Sequence, residues 1–157
     1  MRSAPEVPEH LWFLSTLARV RVAHEEGADG LSVIEFRTPC GDSPALHIHH
    51  TEDELFHILE GKFRFVMGGE ERRVGPDEVF VVPKGVPHTY RVESPEGARF
   101  LVVTTRGDFE RLVRELSRVA ERAELPPASG PPTPEQVQAI AAVSLRHNTE
   151  VVGPPLT

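Results

Sequence analysis

The sequence predicts a mainly β domain, a sandwich or barrel, followed by two C-terminal α-helices. Three observations carry this. Six short apolar or alternating runs lie between residues 31 and 105, separated by turn residues. After Thr105 the hydrophobic period changes from 2 to 3.6. The chain also holds 15 prolines in 157 residues, a density that suits many turns. That length is one domain with its own core. A net charge of −7 argues against nucleic acid or an anionic membrane as the main partner. No 18-residue apolar run and no apolar leader stand out, and the single cysteine, Cys40, excludes a disulfide framework or a thiolate zinc cluster. A cytoplasmic location is the expectation.

Residues 1–30 are expected to be a lead-in with the first strands. Residues 1–15 contain prolines and end in the apolar run Leu11-Trp12-Phe13-Leu14, and strand signals begin near residue 17. Residues 31–105 are expected to form the barrel. Its runs are Leu31–Phe36, stopped by Pro39 and Gly41, then Leu55–Leu59 and Phe63–Met67 around the turn Glu60-Gly61-Lys62. Val79–Val82 follows between Pro76 and Pro83, then His88–Val92 and Arg99–Thr105. Residues 106–157 are expected to form a helical extension, packed on the barrel or on a partner subunit. Phe109, Leu112, Val113, Leu116, Val119, Ala120 and Ala123 share one helical stripe, with Asp108 as N-cap. After the linker Leu125–Pro132, Thr133-Pro134-Glu135-Gln136 reads as a capping box with proline at N1, opening a second amphipathic helix through Leu145. The tail Glu150–Thr157 is expected to be extended.

Chemistry concentrates in one segment. Of 8 histidines, four (His47, His49, His50 and His57) fall within eleven residues. His47 and His49 are two apart on a strand, so both imidazoles leave the same face. Glu54 follows a tight turn, His50-Thr51-Glu52-Asp53, and is expected on the adjacent strand about 4.8 Å away. Imidazole with carboxylate suits a borderline or hard divalent metal. A fourth ligand candidate is His88, delivered to a strand start by Pro83-Lys84-Gly85-Val86-Pro87. His50 alternates away and His57 falls on the opposite sheet face. His10, His24 and His147 carry no motif. Glu52 and Asp53 are expected in solvent, and Cys40 is expected to be inert. Phe56 and Ile58 share the face of Glu54, and Tyr90 that of His88. With Phe63 and Phe65 these either wall an apolar pocket beside the ligands or fill the barrel.

Gly41, His47-Ile48-His49, Glu54 and Gly61, then Pro83, Gly85 and His88, resemble the paired motifs of the cupin superfamily. Asp77-Glu78 stands where that family has Gly-Asp, and Val92 where it often has Asn. The interval from Gly61 to Asp77 encloses 15 residues, as in small microbial cupins. Phe109-Glu110 with an amphipathic helix, the Pro-rich linker, a second helix and Gly153-Pro154-Pro155 is similar to quercetinase-like single-domain cupins. The resemblance implies a double-stranded β-helix, the cupin jelly-roll barrel. It also implies one divalent metal (iron, manganese, nickel, cobalt, copper or zinc) on His47, His49, Glu54 and His88.

Such a site leaves positions open for a substrate oxygen, dioxygen or water. The leading expectation is a quercetinase-like dioxygenase acting on a small enolic or hydroxylated molecule, with Glu54 as catalytic base. The alternatives are a Lewis-acid isomerase, cyclase or lyase, and a non-catalytic metal- or small-molecule-binding cupin. A homodimer is expected from outer-face Leu55, Leu59 and Val66 and from the N-terminal apolar run.

Overall fold

A computed structural model describes residues 9–26 and 30–157. The first part of the expected lead-in, residues 1–8, lies outside the described residues.

The strands are β1 (His10–Phe13), β2 (Thr16–Val22), β3 (Ser32–Thr38), β4 (Leu46–His49), β5 (Glu54–Glu60) and β6 (Phe63–Met67). They continue with β7 (Glu70–Val74), β8 (Val79–Val82), β9 (His88–Val92) and β10 (Ala98–Thr104). The C-terminal part holds α1 (Asp108–Leu116), β11 (Ser117–Val119), α2 (Pro134–Arg146) and β12 (Thr149–Gly153). All strand pairs are antiparallel and form two sheets, ordered β11-β1-β2-β3-β10-β5-β8 and β12-β4-β9-β6-β7. This is the mainly β cupin architecture, with two helices near the C-terminus. No helix among the described residues is long and apolar enough to cross a membrane.

Alternation makes the core. β5 reads buried, half-buried, buried along its length, so Glu54, Phe56 and Ile58 point inward and Leu55, His57 and Leu59 outward. Facing β6 turns Phe63 and Phe65 inward, and β10 adds Phe100 and Val102. The rings interlock edge to face, as Phe56 on Phe65 with centroids 5.0 Å apart. The turn after β5 needs glycine twice over. Gly61 has φ 91°, and a Cβ there would lie 2.6 Å from the carbonyl oxygen of Gly97. Gly97 has φ 80° and packs as tightly on the Thr38 carbonyl.

Three expectations change. The stripe predicted from Phe109 to Ala123 breaks after Leu116, and Ser117–Val119 pairs with β1 instead. Trp12 anchors this change. Its ring lies under the Arg118 and Arg122 guanidinium groups, and its indole N–H donates to the Glu124 carbonyl at 2.8 Å. Leu11 and Trp12 of the N-terminal apolar run are therefore buried by their own chain, while Leu14 stays exposed. Asp108 is the first helical residue and not the N-cap; Gly107 holds that place and offers no side chain. Glu52, expected in solvent, is buried: its carboxylate accepts the N–H groups of Arg106, Asp108 and Phe109 at 2.9–3.1 Å. It caps α1 from the β4–β5 turn. The Thr133–Gln136 capping box forms in both directions.

Candidate metal centre

His47 and His49 project from β4, and the Pro-Gly turn after β8 sets His88 at the start of β9. His88 is directly opposite His47 in the β4–β9 pair. Glu54 does not come from the neighbouring strand. The turn 50–53 carries the chain from the five-stranded sheet to the seven-stranded one, so Glu54 reaches the imidazoles across the barrel interior. Sequence spacing could not separate a hairpin from a sheet-to-sheet crossing, since both turn tightly.

The four ligand atoms lie within 4.8 Å of one another. Glu54 Oε2 accepts from His88 Nε2 at 2.9 Å and lies 3.2 Å from His49 Nε2. Each imidazole turns its Nδ1 to a protein oxygen. His47 meets the Ala45 carbonyl at 2.7 Å, His88 the Val86 carbonyl at 3.0 Å, and His49 the Thr149 hydroxyl at 3.2 Å. All three Nε2 atoms thus converge on the carboxylate. His49 Nε2 is buried and makes no hydrogen bond. An unsatisfied buried polar atom costs about 1–3 kcal/mol. A divalent ion held by three imidazoles and one carboxylate removes that deficit, so the residues fit the metal that the sequence motifs imply.

The electrostatics run the same way. Burial, then the neighbouring His88 and His49, lowers the His47 pKa to about 3, so this ring is neutral and ready to ligate. For His49, burial opposes the charged form. The charge and close approach of the Glu54 carboxylate, then Glu52 and Asp108, outweigh burial and raise its pKa. Burial would raise Glu54, but His49 and His88 pull it well below the usual carboxylate range. The site is thus a carboxylate among imidazoles of unequal basicity.

The cluster opens on a cavity of about 150 Å³. Phe13, Phe36, Phe56, Tyr90, Phe100 and Phe109 line it, with Leu116 and Ile140 from the C-terminal part. Among the described residues, no lysine or arginine lines it. Of the expected pocket residues, Phe56 and Tyr90 are on the wall. Ile58, Phe63 and Phe65 are core residues that do not reach the cavity. The strand period correctly placed their face but says nothing of depth: Ile58 lies four residues beyond Glu54, about 13 Å along β5. Burial, then the charges of Asp42 and Glu54, pushes the Tyr90 phenol well above its ordinary value, so it stays protonated. His50 is exposed and pairs with Glu150; His57 is half-buried on the outer face. Thr149 carried no signal in the sequence, and Phe109 and Ile140 read only as helix residues, because only the folded C-terminal segment brings them to the site.

The Cupin domain family model matches residues 34–104. The chain is 30% identical over 105 residues to quercetin 2,3-dioxygenase of Bacillus subtilis (strain 168), covering 66% of this chain but only 31% of that protein. Among solved structures, the polyketide cyclase RemF of Streptomyces resistomycificus superposes with TM-score 0.56 at 23% identity, over 87% of this chain and 89% of that one. A cupin-superfamily sugar phosphate isomerase from Silicibacter pomeroyi gives TM-score 0.51 at 25% identity, over 59% and 60%. With two antiparallel sheets, the paired histidine motifs and a family match across β3 to β10, residues 34–104 of the chain form a cupin domain.

Proposed function

We propose that the protein is a metal-dependent cupin enzyme of the dioxygenase type, acting on a small neutral enolic or hydroxylated molecule with an aromatic or apolar body. The observation that carries this is a three-histidine, one-glutamate cluster opening on an apolar, largely aromatic cavity without a cation on its described wall. A phosphate or dicarboxylate substrate would find no counter-charge there beyond the metal. The relationship to the Bacillus dioxygenase supports the oxidative form.

The metal, when bound, would supply an electrophilic centre for a substrate oxygen and, if redox-active, for dioxygen chemistry. His47, His49, Glu54 and His88 would hold it. Glu54 Oε2 lies between His49 and His88 and would take the proton of the substrate hydroxyl. Tyr90, kept protonated, would offer an O–H to a second substrate oxygen. The aromatic wall would exclude water and stack on the substrate body. A Lewis-acid cyclase or isomerase uses the same ligands and base without oxygen, and the same apolar cavity favours a carbon-rich substrate for it.

The test is oxygen uptake and product analysis with protein loaded separately with iron, manganese, nickel and cobalt, against a panel of flavonols and smaller enediols. Uptake that is lost in Glu54→Gln, while some metal is retained, supports the dioxygenase. Product without oxygen uptake moves the assignment to the Lewis-acid enzyme. Ligand binding with no product under any condition moves it to a binding module.

A further inference from the structure

We infer that Thr149, in the C-terminal strand outside the matched cupin domain, is a positioning residue that sets the ring orientation and tautomer of His49 for the metal. This rests on the metal-site reading above. His47 and His88 take their Nδ1 partners from carbonyls two residues earlier, in the segments leading into their strands. A carbonyl only accepts, so each of these rings carries a proton on Nδ1, and Nε2 is the atom each can give to a metal. His49 has no such local partner. Its Nδ1 is met by the Thr149 hydroxyl at 3.2 Å, from a residue one hundred positions later.

The arrangement is built, not incidental. Thr149 is 4% exposed and stands directly opposite His49 in the β12–β4 pair. The residue before it, Asn148, has φ 59°; its carbonyl accepts the His50 N–H at 2.9 Å, and its amide donates to Asp108 at 3.1 Å. The strand start is thus clamped on both sides of His49. A buried hydroxyl costs free energy unless it bonds, and valine would satisfy the strand equally well. With Nδ1–H donating to Thr149, Nε2 is the His49 atom free to ligate once its proton is displaced; it is buried and lies 3.2 Å from Glu54 Oε2. The last strand therefore completes a site whose four ligands all lie within residues 47–88.

The experiment is a chelator-competition titration of zinc and cobalt into metal-free wild type, Thr149→Val, Thr149→Ala, Thr149→Ser and His49→Ala. Both hydroxyl-free variants at position 149 should bind about 10- to 100-fold more weakly, and serine should return to within about threefold of wild type. In the cobalt-loaded protein the visible spectrum should shift in the valine and alanine variants and not in the serine variant. Wild-type affinity in Thr149→Val and Thr149→Ala, alongside lost binding in His49→Ala, overturns the role of Thr149 and leaves the metal site standing. Equal weakening in all three position-149 variants also overturns it, since the hydroxyl would not be the cause. If wild type binds neither metal, the metal-site reading falls, and this role falls with it.

Discussion

Metal uptake at this cluster should be coupled to protons, and His49 is one source of them. His47 is neutral far below physiological pH and releases nothing on ligation. His49 is shifted upward, so in the metal-free protein it is still protonated above the pH where a free imidazole titrates. The metal must displace that proton. Apparent affinity should therefore rise with pH up to the raised His49 value and then level off. Calorimetry in buffers of different ionisation enthalpy should show proton release near neutrality in wild type. The sign for the metal-free fold is opposite. A raised histidine adds stability that is complete below its unfolded value, about 6.5, and is lost as pH climbs through the folded value. Glu54, shifted down, adds stability above about pH 4.3 that is lost as pH falls through its lowered value. Thermal midpoints of the metal-free protein should thus peak in mildly acidic buffer. Those of the metal-loaded protein should peak at higher pH. His57→Ala should leave metal content unchanged, because that ring is on the outer face of β5.

At the scale of elements, α1 depends on a residue far from it in sequence. Gly107 offers no cap, and the buried Glu52 carboxylate takes three backbone N–H groups at that end. Glu52→Ala leaves these donors unpaired beside the ligand turn. It should cost about 3 kcal/mol, or roughly 6–12 °C in Tm, read by calorimetry. Asp77 makes the reverse case. It stands where the family has glycine, and its φ is 69°, in the left-handed region. The backbone requirement of the motif persists although the glycine does not, and aspartate tolerates it better than most residues. Asp77→Gly should raise stability by about 0.5–1 kcal/mol, seen as a small rise in the denaturation midpoint.

At the scale of the molecule, the outer face of the seven-stranded sheet keeps an apolar patch. Val79 and Val81, on edge strand β8, are 55% and 46% exposed beside half-buried Leu55. The N-terminal run contributes less than expected, since Leu11 and Trp12 are buried within the chain and Leu14 is its one exposed residue. A homodimer through this face is the expected state. Light scattering should give twice the chain mass of 17.4 kDa, and Val81→Lys should return the monomer. A wild-type monomer at micromolar concentration would refute it.

The sequence by itself determined what is local or periodic. Alternation assigned the inward faces of β5, β6 and β9, Thr133-Pro134-Glu135-Gln136 set the start of α2, and motif spacing singled out the residues that meet in the cluster. Tertiary structure decided what depends on which segments meet. It moved Glu54 to the opposite sheet, separated wall residues from core residues of the same alternation, and ended α1 early. The last of these has a clear cause. Residues 117–119 find a free strand edge at β1 and the Trp12 ring to cover, and those gains exceed the weak preference of any few residues for helix. Thr149 and Glu52 belong to the same class. Each acts through a hydrogen bond to a group more than fifty residues away, and no pattern in the nearby sequence records such a partner.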